Sequence, residues 1–107
     1  LSNVFELGSC SFASCKQLQE IYLPDNVQKI FPCCFESCTH LDHVSMGKYI
    51  KILDNHVFAD CVRLYNIYFR GTLQEWDDLP KCSCWNEGSY LNCIICTDGV
   101  RLIPKRR

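Results

Sequence analysis

Apolar positions along this chain recur every 23 residues. Phe12, Phe35 and Phe58 open the same phrase three times, and Cys15, Cys38 and Cys61 follow at the third position after each. Leu18, Leu41 and Leu64 stand at the sixth position, Ile21, Val44 and Ile67 at the ninth, and Leu23, Met46 and Phe69 at the eleventh. Ahead of these run two more columns, one of Val4, Val27, Ile50 and Leu73 and one of Leu7, Ile30, Leu53 and Trp76. A period of this length predicts stacked supersecondary units, because no single unit can bury its own apolar side.

Within each unit, residues 20–23, 43–46 and 66–69 alternate outward and inward positions, as half-buried strands must. These strands are expected to stack as a parallel sheet, ended by Pro24, Gly47 and Gly71. After Gly71 the repeat is abandoned. Thr72-Leu73-Gln74-Glu75 reads as a capping box that starts a short helix through Trp76, stopping before Pro80. Cys93, Ile94, Ile95 and Cys96, followed by Asp98-Gly99 and then Val100 to Ile103, give a hairpin signal. The open end of a stack leaves unpaired strand edge and apolar surface, so an atypical terminal unit is required. The expected organisation is repeats over residues 1–70, about three units with the first truncated, and a C-terminal cap of the same domain over residues 71–107.

Written out, Phe12-x-x-Cys15-x-x-Leu18-x-x-Ile21-x-Leu23-Pro24-x-x-Val27-x-x-Ile30 resembles the BspA-like class of leucine-rich repeats. Gly71, Thr72 and Glu75-Trp76 are also similar to the ending that family members carry after their last repeat. The resemblance implies an α/β repeat solenoid with a concave parallel β-sheet and short helical or irregular segments on the convex side. It further implies a non-enzymatic interaction module of a larger cell-surface or secreted adhesion-type protein, located outside the cell or on its surface. Fold membership says little about a ligand.

Composition narrows the options. With 107 residues and 48% apolar content, one domain with a modest core is expected. A net charge of −1 supplies no basic field, so nucleic acid is a poor candidate partner. Lys105-Arg106-Arg107 is the only basic cluster and reads as a solvated tail. No apolar run reaches the ~18 residues of a membrane span. Leu1 falls in the middle of a repeat, from which a fragment or mature portion of a longer protein is expected.

The ten cysteines divide by their position in the repeat. Cys15, Cys38 and Cys61 share one inward column, where stacked neighbours lie about 4.8 Å apart with parallel Cβ vectors. A disulfide needs converging Cβ atoms at about 3.8 Å, so unbridged packing is expected for this column. Cys10, Cys33 and His56 form another column and Cys34 points inward. A metal bound by the Cys10, Cys33 and His56 column would need ligands converging on a point rather than set in a row. Cys82-x-Cys84 and Cys93-x-x-Cys96 have spacing open to three readings: a zinc site, a disulfide between the pairs, or reduced thiols. Strand alternation aims Cys93 and Cys96 to opposite faces, against zinc. A small zinc-stabilised domain and a plain spacer remain the alternatives to an interaction module, and no cofactor is called for.

Catalysis has little support. A nucleophilic cysteine needs a histidine within reach, itself held by a third group. Of the three histidines, His40 falls in a turn, His43 on an outward strand position and His56 in the column above. Asp77-Asp78 lie on the predicted helix, where charges face solvent. What remains is a surface. The outward strand positions are Glu20 and Tyr22, His43 and Ser45, and Asn66 and Tyr68, with Tyr22, Ser45 and Tyr68 in one row. Exposed tyrosines on a rigid sheet suit protein or glycan contacts. They also suit ordinary strand propensity.

Overall fold

The computed structural model describes residues 5–7, for which only the backbone is considered, and residues 12–104. Val4, Cys10, Ser11 and the Lys105-Arg106-Arg107 tail lie outside the described residues. The elements in chain order are β1 (Phe5–Leu7), β2 (Glu20–Tyr22), β3 (Val27–Ile30), β4 (His43–Gly47), β5 (Asn66–Arg70), α1 (Leu73–Asp78), β6 (Cys93–Cys96) and β7 (Gly99–Leu102).

The main sheet is open and mostly parallel, in the order β2-β4-β5-β6-β7. Its register follows the repeat: Ile21 faces Val44 and Val44 faces Ile67 across neighbouring strands, and Tyr22, Ser45 and Tyr68 are likewise partners. The ladder then continues past the third repeat, with Asn66 opposite Cys93 and Ile67 opposite Ile94. Only β7 runs antiparallel, closing the hairpin on β6. Strand β6 alternates as expected: Ile94 and Cys96 are buried while Cys93 and Ile95 are half-buried.

On the opposite side of each repeat, helical or irregular segments were the expectation. Irregular turns occupy residues 32–37 and 55–60, and in addition β1 and β3 pair in parallel as a second, two-stranded sheet. In β3 the two ends, Val27 and Ile30, are buried while Lys29 between them is exposed. A spacing of three between buried residues fits a short strand as well as a turn, and pairing of adjacent repeats decides for the strand. The next repeat keeps only one bridge here, Leu53 to Lys81.

Between the two sides lies a stacked aromatic ladder. Phe12 and Phe35 stack at 5.4 Å and 9°, and Phe35 and Phe58 at 5.5 Å and 7°. Phe35 and Phe58 are fully buried, but Phe12 is 37% exposed. The expected inward column is therefore open at its first member. The far end is closed by edge-on tryptophans, Phe58 meeting Trp85 at 6.4 Å and Trp85 meeting Trp76 at 5.7 Å.

Beside this ladder runs the cysteine column. Cys38 Sγ donates to the Phe12 carbonyl at 3.0 Å and Cys61 Sγ to the Phe35 carbonyl at 3.2 Å, each reaching one repeat back. Cys38 and Cys61 are buried and Cys15 is half-exposed, a correction to the expected burial of all three. All nine described cysteines are unbridged.

The turn after each phenylalanine holds a left-handed residue: Ser14, Ser37 and Asp60 at φ near 58°, then Gly88 at 78°. Serine, aspartate and glycine tolerate this region. At Gly88 a Cβ would also sit 2.1 Å from Asp60 Oδ1, so a side chain there would have to displace the Asp60 carboxylate.

Helix α1 begins where the capping box predicts. Thr72 Oγ1 accepts from the Glu75 amide at 3.1 Å and Glu75 Oε1 accepts from the Thr72 amide at 2.8 Å. That backbone bond holds the Glu75 carboxyl below its ordinary pKa. At the other end Lys81 Nζ donates to the carbonyls of Trp76 and Leu79, at 2.6 and 2.8 Å, above the Trp76 ring. Thr72→Ala should cost about 1 kcal/mol. Thermal unfolding should register a fall of roughly 4–5 °C, and an unchanged Tm would show that the cap contributes nothing.

Candidate functional site

The six outward residues singled out from strand alternation share one solvent-facing side of the main sheet. Glu20 lies opposite His43, and Asn66 stands opposite Cys93 in the adjoining strand. Glu20, Tyr22, His43 and Tyr68 are exposed, while Ser45 and Asn66 are half-buried. The His43 ring rests on Tyr68 with centroids 4.9 Å apart. Asn66 Oδ1 accepts from Cys93 Sγ at 3.0 Å.

Sequence reasoning missed the residue that organises this face. Arg70, at the end of β5, reaches back across β4: Nη1 donates to Ser45 Oγ at 2.7 Å, and Nη2 donates to the Leu23 carbonyl and to Asp25 Oδ1. Its guanidinium lies 4.4 Å from the centre of the Tyr22 ring. Gly47 makes the crossing possible, because a Cβ there would come within 2.6 Å of Asp25 Oδ1 and 3.3 Å of Arg70 Nη2. The signal was present in the repeat phase, where Pro24, Gly47 and Arg70 share one column.

The face also extends further than the repeats. Val100 pairs with Ile95 and Leu102 with Cys93, so both join the outward side. Val100 is 53% and Leu102 76% exposed, which gives the aromatic row an aliphatic end. Beside the sheet, a cavity of about 530 Å³ opens between Tyr65, Asn86, Tyr90, Asn92 and Ile103.

The four cysteines considered for zinc are not brought together as a set. Cys82 Sγ faces Asp54 at 3.7 Å and Cys84 Sγ donates to Asn55 Oδ1 at 3.3 Å, whereas Cys93 turns to Asn66. Burial and the nearby Asp54 push the Cys82 thiol up. Cys96 is buried and its pKa is likewise raised by burial. Asp77 chelates Arg101 at 2.6 and 3.0 Å, fastening β7 to α1, and Asp78 accepts from Gln74. His40 Nδ1 lies 3.5 Å from Thr39 Oγ1. Among the described residues no helix is long and apolar enough to cross a membrane.

Repeated coils, a ladder in register and an atypical final hairpin agree with what a family comparison finds: the model for the BspA type leucine rich repeat region matches residues 1–104, in six copies. The chain belongs to the BspA-type leucine-rich repeat family. The BspA-type match includes the hairpin segment as well as the 23-residue repeats. A solved leucine-rich cell surface protein from Faecalibacterium prausnitzii is similar in structure, with a TM-score of 0.69 and 26% identity over 73% of this chain. The chain spans 21% of the length of that protein. No curated protein sequence matches.

Proposed function

We propose that this BspA-type module is a non-enzymatic binding unit of a larger cell-surface or secreted adhesion-type protein, and that its ligand contacts the outward sheet face as the concave side of a solenoid. The observation that carries the reading is the Arg70 clamp. A face that serves only as covering has no need to fix its aromatics, yet Tyr22 is held under a guanidinium and Tyr68 against His43. Rings ordered before binding lose little conformational freedom on contact. The aliphatic end at Ile95, Val100 and Leu102 favours a protein ligand over a glycan.

The test begins with a screen of matrix proteins and glycans against the folded chain. It continues with the double variant Tyr22→Ala, Tyr68→Ala. Anchoring tyrosines are worth about 2 kcal/mol or more each, so the double variant should lose binding to whatever partner is found. Removal of the Tyr22 ring also takes the platform from Arg70, costing about 0.5–1 kcal/mol of stability, which circular dichroism melting will register. Undiminished binding by a folded double variant would sink the sheet-face reading, and a folded chain that binds nothing in the screen would favour a spacer.

A further inference from the structure

Histidine 56 stands between two copies of the same turn. On one side is Cys33-x-x-Glu36, its ends tied by the Glu36 amide donating to the Cys33 carbonyl at 3.2 Å. On the other is Cys84-x-x-Glu87, tied the same way at 3.3 Å. The repeats lock these turns into neighbouring coils, since the Cys33 amide donates to Asn55 and the His56 amide to Cys84. The sulfur, carboxylate and imidazole donor atoms of Cys33, Glu36 and His56 lie within 4.8 Å of one another, and so do those of His56, Cys84 and Glu87.

We propose that Cys33, Glu36 and His56 form a zinc site. A column of ligands alone is a row, and a row cannot surround an ion. Glu36 changes that, because it comes from the same turn as Cys33 but lies three residues on, off the column. Three donors then form a triangle with mixed S, N and O character, a set that suits Zn²⁺. Around a tetrahedral ion with bonds of about 2.0–2.3 Å, donors sit roughly 3.3–3.8 Å apart, so small side-chain rotations close the set and water takes the fourth position. The Cys33 half is preferred over the Cys84 half because Cys33, Glu36 and His56 are all half-buried, whereas Glu87 is exposed and meets His56 only loosely, Oε1 to Nε2 at 3.7 Å. A neutral imidazole offers a single lone pair, so His56 serves one ion at a time. Stoichiometry is one ion per chain.

The reduced 107-residue chain is titrated with Co²⁺ alone, which reports a thiolate ligand by a near-ultraviolet charge-transfer band, and then with Zn²⁺, which displaces it. One equivalent of Co²⁺ should develop the band. Cys33→Ser and His56→Asn should each weaken binding by about 100-fold or more, and Glu36→Gln by about 10-fold or more. Asparagine tolerates the left-handed backbone at His56, where φ is 56°. Metal-free melting curves check folding, and Zn²⁺ should raise the Tm of the parent chain but not that of Cys33→Ser. Cys84→Ser should keep the band. A band absent from the parent chain, one that survives both Cys33→Ser and His56→Asn, or one lost in Cys84→Ser but kept in Cys33→Ser would overturn the assignment.

Discussion

Phe35→Ala should lower the unfolding free energy by about 3–5 kcal/mol, the usual range for a buried phenylalanine. In a chain of this size that is a fall of roughly 12–25 °C in Tm. The cost belongs near the top of the range because both faces of the ring are occupied, by Phe12 at 5.4 Å and Phe58 at 5.5 Å. Rung spacing is fixed by backbone bonds on either side, including the Phe12 amide to Cys34 and the Phe35 amide to Val57. The coils cannot close on the void, and a void that cannot collapse keeps its full penalty. Phe12→Ala is the internal comparison: its ring is 37% exposed and stacks on Phe35, so less than half the loss is expected. Equal shifts for the two variants, or a Phe35 shift of a degree or two, would show that the ladder is not the core.

The strands were legible because burial alternates within each one and the repeat fixes its phase: Val44 and Met46 point in, His43 and Ser45 out, in every coil alike. Helix α1 was legible from two residues, Thr72 and Glu75, whose reciprocal bonds are local chemistry. The β1–β3 sheet was not, since Val27 and Ile30 carry a spacing that fits several conformations and only pairing between repeats selects one. Arg70 was hidden for a different reason. A charged residue at a strand end reads as a solvated flank, and its role depends on the missing side chain of Gly47 one coil away. The turns around His56 were half legible. Cys33 and His56 share the 23-residue phase, but the interval from His56 to Cys84 stretches to 28, and this insertion took Cys84 and Glu87 out of register with any column.

Alkaline pH should destabilise this fold through Cys61. The thiol is fully buried and donates to the Phe35 carbonyl. Burial pushes its pKa up to about 12 from 9.0, with Cys38, Asp60 and Glu36 adding in the same direction. Cys38 is raised for the same first reason. A raised pKa means the folded state holds the proton more tightly than the unfolded chain. The contribution is therefore fully present below about pH 9 and is lost as pH rises from there toward about 12. Across the whole window the loss is about 4 kcal/mol, and at pH 10.5 it is about 2 kcal/mol. Denaturant unfolding of the reduced chain and of Cys61→Ala at pH 7 and pH 10.5 isolates the effect, because the two chains differ only at this thiol. The parent chain should lose about 2 kcal/mol more than the variant between the two pH values. An alkylating reagent gives the kinetic counterpart: native protein should protect Cys38 and Cys61 while the half-exposed Cys84 reacts. Parallel stability curves for the parent and Cys61→Ala would mean that the column opens to water before its thiols ionise, and burial at the second and third coils would then not control the chemistry of the cysteine column.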